Sequence, residues 1–196
     1  MSNAPQTARL PGLLATAMRD RDSFARLRLI VDRHFELASR IIRNLGIPDC
    51  DVDDLLQQAF SITADRLHDI EAGKERAFLI QTAIHLAASL RRARALSRET
   101  LTDELPEVSD GKPSPEDLSD HARALRVLDG ILGDMELDLR SVFVLYEVEE
   151  MTMAEIATVL QIPAGTVASR LRRAREDFLT LAHRLRVVTA RKEGRS

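Results

Sequence analysis

The chain has 196 residues, 44% of them apolar and 30% charged, with a formal net charge of −3, which allows one larger domain or two small helical ones with modest cores. Aromatic residues make up 4%, tryptophan is absent and cysteine occurs once, at Cys50, so an intramolecular disulfide is excluded. The five histidines are scattered with no CxxC or HExxH spacing, and neither a metal nor a cofactor is expected. No apolar run approaches membrane-spanning length and the first residues lack the layout of a secretory signal, so a cytoplasmic protein is expected.

Residues 1–22 contain Pro5, Pro11 and Gly12 and few large apolar residues in register, and read as a loose lead-in or a short extra helix. From Ser23 to Leu45 the set Leu27, Ile30, Val31, His34, Phe35, Ala38, Ile41, Ile42 and Leu45 keeps helical spacing and stops at Gly46 and Pro48. A second helix, capped by Asp49 or Asp51 and running to about Leu67, turns Val52, Leu55, Leu56, Ala59, Phe60 and Thr63 inward. Residues 69–74 form a loop. A third helix from Glu75 to about Ala95 is expected to bury Phe78, Leu79, Ala83, Leu86 and Leu90 and to end in a basic turn.

Between residues 97 and 120 periodicity is lost, Pro106, Gly111, Pro113 and Pro115 appear, and eight acids stand against two bases. This reads as a flexible acidic linker. Such a linker spans roughly 25–30 Å on average and about 80 Å when taut, enough to bridge about two turns of duplex at ~34 Å each. The remainder, 121–196, opens with one helix carrying Leu125, Leu128, Ile131 and Leu132 and a second carrying Leu139, Val142, Phe143 and Tyr146. The fold class is therefore all-α: a helical domain over 23–96, the linker 97–120, and a second helical domain over 121–196.

The segment Met151 to Glu176 is a helix-turn-helix in pattern. Ile156, Val159 and Leu160 make one apolar stripe, and Val167, Leu171, Ala174 and Phe178 make another. Gln161, Ile162 and Pro163 interrupt them, because Pro163 has no N–H and biases Ile162 away from helical angles, and Ile162 seals the corner. Opposite the second stripe, Thr166, Ser169, Arg170 and Arg173 share a face with Arg172 and Arg175 beside it, a set suited to base edges and phosphates. A solvated arginine face on an amphipathic helix is the plain alternative. Charge is segregated in support of DNA: residues 76–98 carry Arg76, Arg91, Arg92, Arg94 and Arg98 without an acid, and 163–196 carry nine bases against three acids.

In sequence and order these segments resemble the extracytoplasmic-function (ECF) group of bacterial sigma factors. GTVASRLRRARE (165–176) after MTMAEIATVL (151–160) follows that group's domain-four pattern, and DVDDLLQQAF (51–60), with Asp54, Gln57 and Phe60, is similar to its polymerase-docking segment. The resemblance implies a non-catalytic subunit that binds core RNA polymerase through Asp53, Asp54, Gln57 and Gln58. It implies contact with the −10 promoter element through Arg76, His85, Arg91, Arg92 and Arg94, with a pocket for a flipped base bordered by residues 69–75. It assigns the −35 element to Thr166, Ser169, Arg170, Arg172 and Arg173, and it implies an anti-sigma factor as a further partner and the one route to a membrane. Where relatives usually have Trp-Leu this chain has Phe78-Leu79, Phe78 being expected in the core. Where they commonly have Asn it has His85, a boundary residue or a base contact. Gln161 replaces a frequent Gly, at about 1 kcal/mol if it is left-handed. A stand-alone helix-turn-helix regulator and a sigma-like decoy that sequesters an anti-sigma factor are the alternatives. An enzyme is disfavoured by the lack of a nucleophile–base pair or phosphate-cradling loop.

Overall fold

The computed structural model describes residues 21–100 and 120–193, and every regular element among them is helical. These elements are α1 (Arg21–Asn44), α2 (Asp49–Asp65), α3 (Glu75–Thr100), α4 (Asp120–Asp134), α5 (Leu137–Phe143) with a π-helical turn (Val144–Val148), α6 (Met153–Leu160) and α7 (Ala164–Glu193). The expected lead-in, except its last two residues, and linker residues 101–119 lie outside the described residues.

Helix α1 buries Leu27, Ile30, Val31, Phe35, Ala38, Ile41 and Ile42 in the expected stripe. It ends where Gly46 turns to φ +82° and its N–H donates to the Arg43 carbonyl at 2.8 Å, a left-handed termination that glycine adopts without a Cβ clash. The cap of α2 differs from expectation. Pro48, with φ −58° and ψ 145°, takes the N-cap position and no side chain caps the helix; Asp49 and Asp51 fall inside the first turn. There they still favour the positive helix end. The inward set of α2 is the expected one, Val52 through Thr63.

Helix α3 is rotated relative to the expectation and runs on to Thr100. Its buried residues are Leu79, Ile80, Thr82, Ala83, Ile84 and Ala87, while Phe78, Leu86 and Leu90 are half-buried. The helix is apolar over much of its circumference, so spacing alone does not select the face that meets α1 and α2.

In the C-terminal half, Thr152 and Glu155 form a capping box at the start of α6: the Glu155 N–H donates to the Thr152 hydroxyl at 3.3 Å and the Thr152 N–H donates to the Glu155 carboxylate at 2.8 Å. At the corner Gln161 is left-handed, φ 53° and ψ 41°. Before α6, the π-helical turn shifts the hydrogen bonding by one residue, with the Glu149 N–H on the Val144 carbonyl at 3.0 Å. Nothing in the apolar spacing signals that turn.

One apolar cluster runs through both halves without a break. Leu27, Phe35, Leu56, Phe60 and Leu79 belong to it together with Val142, Leu145, Met151, Ile156, Val159, Val167 and Leu171. A smaller cluster joins α4, α5 and α7 through Leu132, Met135, Leu139, Phe143, Val144 and Ala174, and Phe143 stacks on Phe178 with ring centroids 4.9 Å apart. The two helical halves are thus packed together, with α6 against α3 and the π-helical turn against α1.

Candidate nucleic-acid interface

The second helix of the helix-turn-helix is anchored by Val167, Leu171 and Ala174, at 0–1% exposure, which turns the opposite face to solvent. On that face Ser169 and Arg173 are exposed and Thr166 is half-buried. The Ser169 hydroxyl donates to the Thr166 carbonyl at 2.9 Å. Arg170 lies 2.6 Å from the Asp138 carboxylate on α5, and Arg172 lies 2.7 Å from Glu176 one turn on. Arg175 pairs with Glu147 at 2.7 Å and lies over the Tyr146 ring, 5.3 Å from its centroid. Arg173 is left as the unpaired guanidinium of this face among the described residues. Electrostatically, the face is an arginine surface whose flanks are neutralised internally.

Asp53, Asp54, Gln57 and Gln58 are all exposed on α2. Their spacing stacks two acids over two amides along one side of the helix, opposite the face that buries Leu55, Leu56 and Phe60. They form a continuous acidic and amide strip.

The basic residues assigned to α3 do not act alike. His85 and Arg92 are exposed. Arg91 is half-buried and donates to the Leu45 carbonyl at 2.8 Å, and Arg94 forms a short ion pair with Asp51 at the start of α2. These contacts tie α3 to the end of α1 and to the start of α2, so each guanidinium has a partner within the fold. Arg76 bonds Glu155 of α6 at 3.1 Å.

A cavity of about 360 Å³ opens between α2 and α3, with apolar walls from Ile62, Phe78 and Leu86 and polar groups from Arg66, Gln81 and His85. Phe78 therefore lines a surface pocket rather than the core. Residues 69–75 do not line that cavity. Gly73 and Lys74 instead border a second cleft, shared with Met151, Glu155 and Thr158. The cause is Arg26, which sequence reasoning missed. Its Nη1 donates to the Leu67 carbonyl at 2.9 Å and its Nη2 to the Ile70 carbonyl at 2.7 Å, drawing the loop onto α1. The same guanidinium bonds Glu75. Burial pushes the Glu75 carboxyl up, but backbone hydrogen bonds and Arg26 outweigh it and hold the group below its ordinary value. An arginine early in a helix, four residues after Asp22, is an ordinary feature of the sequence and does not signal this contact.

Two other side-chain contacts cross between the halves. Arg40 of α1 makes a two-pronged pair with Glu149, at 3.2 and 2.7 Å, and Gln161 donates to Gln81 at 3.3 Å. Among the described residues no group of His, Cys, Asp and Glu could hold a metal ion, and no helix is long and apolar enough to cross a membrane.

Residues 125–178, from within α4 to the first half of α7, match the family model Sigma-70, region 4. The chain is 30% identical over 160 residues to the RNA polymerase sigma factor CnrH of Cupriavidus metallidurans, covering 78% of this chain and 84% of that protein. It is also 30% identical over 162 residues to the ECF RNA polymerase sigma-E factor of Escherichia coli, covering 76% and 81%. Among solved structures, the sigma factor RpoE in complex with the anti-sigma factor NepR from Bartonella quintana superposes with a TM-score of 0.62 at 19% identity, covering 83% of this chain and 97% of that one. That likeness is one of fold.

Proposed function

The chain belongs to the ECF group of RNA polymerase sigma factors, and on that premise we propose how its parts divide the work of binding core RNA polymerase and directing it to promoters. The observation that carries the reading is the helix-turn-helix itself: a capped first helix, a left-handed corner at Gln161 and a second helix whose outward face bears Ser169, Arg170 and Arg173. That face, with Thr166 and Arg172, reads the −35 element. The strip Asp53, Asp54, Gln57 and Gln58 docks on polymerase, since all four side chains are exposed along one side of α2.

The cavity beside Phe78, with Gln81 and His85 at hand, takes a base flipped from the −10 element. Arg76 and Arg92 neutralise nearby phosphates. Arg91 and Arg94 act indirectly, by fixing α3 against α1 and α2. The functional units are residues 23–96 and 121–196, joined by the acidic stretch 97–120. The protein acts without catalysis of its own, in the cytoplasm, and an anti-sigma factor is its expected inhibitor.

Run-off transcription on fragmented genomic DNA, with core polymerase from the same source and with or without this protein, tests the proposal. Discrete new transcripts sharing an upstream element are expected. Core association without transcripts would replace the proposal with a decoy, and absence of both would replace it with a stand-alone regulator.

A further inference from the structure

Arg140 stands on α5, yet its guanidinium reaches into the N-terminal half, where Nε donates to the Asn44 carbonyl at 2.5 Å. The residue is 1% exposed, and its Nη1 is buried without a hydrogen-bond partner. There is room for it because residue 46 is glycine: a Cβ on Gly46 would lie 2.5 Å from Nη1. Arg91 approaches the same helix end from α3, through the Leu45 carbonyl. Two cations therefore converge on the C-terminal carbonyls of α1. The helix dipole attracts both, but burial, and then repulsion from Arg91, push the Arg140 guanidinium down to about 9 against an opposing pull from Asp129 of α4. A buried cation with an unmatched donor opposes its own burial.

The rest of this junction is complementary. Arg40 pairs with Glu149, Gln161 bonds Gln81, and Glu155 holds Arg76. In this arrangement the Arg76 guanidinium faces a carboxylate of α6 instead of a phosphate.

We propose that the junction between the halves is an autoinhibitory contact with a built-in weak point: Glu155 withholds Arg76 from DNA, and the incompletely satisfied Arg140 keeps the contact reversible. The inference rests on the promoter-recognition reading above. Separation of the halves returns Arg140 to water, where all its donors are met, and frees Arg76. An apolar side chain of similar length at position 140 keeps the packing and removes the opposing charge.

The test uses the full chain labelled for energy transfer at its exposed native Cys50 and at a cysteine replacing exposed Asp177 on α7. Binding of a short mixed-sequence single-stranded oligonucleotide is measured in parallel. Arg140→Met is expected to raise the closed-to-open ratio about fivefold or more, with higher transfer and correspondingly weaker oligonucleotide binding. Glu155→Gln preserves the capping box, which accepts Gln at that position, and removes the carboxylate charge that holds Arg76; several-fold tighter binding and lower transfer are expected. Lower transfer in Arg140→Met would show that the buried charge holds the halves together and would overturn the weak point. Weaker binding without a transfer gain would place Arg140 on DNA itself, with the same consequence. Unchanged binding in Glu155→Gln would overturn the autoinhibition. If no form of the protein bound the oligonucleotide while transfer still rose in Arg140→Met, the promoter reading would fall and the junction's mechanics would stand.

Discussion

Arg170 and Arg173 lie one turn apart on the same face of α7, and the structure predicts that their loss affects DNA binding unequally. Arg173 is exposed and unpaired among the described residues, so a contact it makes with DNA adds in full. Arg173→Ala is expected to weaken −35 binding by about 1–3 kcal/mol, roughly 5- to 150-fold. Arg170 must first leave Asp138, 2.6 Å away with side chains 29% and 58% exposed. A pair open to water to that degree stabilises by about 0–1 kcal/mol, so Arg170→Ala is expected to cost less than Arg173→Ala by up to about that amount. The converse follows. Asp138→Asn releases Arg170 and removes a carboxylate facing the phosphates, and binding should tighten by up to about fivefold. Fluorescence anisotropy on a duplex carrying the upstream element measures all three variants at several salt concentrations. A phosphate contact shows itself as a slope of log K against log salt shallower by about 1, and a base contact as a loss confined to the cognate sequence. Weaker binding by Asp138→Asn, or no loss in Arg173→Ala, would refute the argument.

Three further outcomes follow from packing and capping. Thr152→Ala removes the α6 cap, in which the Thr152 hydroxyl accepts from the Glu155 N–H, and should cost about 1 kcal/mol in urea denaturation, with Thr152→Ser restoring most of it; no change would mean the box contributes nothing. Phe60 is fully buried and stacks on Phe35 with ring centroids 6.2 Å apart, so Phe60→Ala should destabilise by about 3–5 kcal/mol, and a loss below about 1 kcal/mol would place it outside the core. His34 is held below its ordinary 6.5 by burial and then by the Arg76 and Arg33 charges, against an opposing pull from Glu75. The unfolded chain then takes up the proton first, so stability is unaffected above pH 6.5 and falls as pH drops from there through the lowered folded value. His34→Gln should flatten the melting temperature across that window, and an unchanged pH slope would exclude His34 as its source.

The helix-turn-helix is legible in the sequence because it depends on residues that are neighbours along the chain. Ile156 and Val159 are one turn apart, and Pro163 breaks the chain locally. The inward face of α2 is legible for the same reason: its polar residues, Asp53, Asp54, Gln57 and Gln58, leave one apolar stripe. Helix α3 lacks that contrast. With apolar residues at 78–80, 83, 84, 86 and 87, spacing allows two faces, and packing on α1 and α2 buries Ile80 and Ile84 while leaving Phe78 to line the cavity.

The sequence by itself thus determined the helical class, the helix-turn-helix, the identity of its arginine face and the charge segregation along the chain. Tertiary structure decided which charges remain free. Arg26, Arg91, Arg94 and Arg140 are ordinary basic residues in the sequence, and only folding brings them to the Leu67, Leu45, Asp51 and Asn44 groups that occupy them. The physical reason is range: periodicity and capping act over one turn of helix, whereas the partner of a long, flexible guanidinium is set by which helix ends the fold carries within its reach.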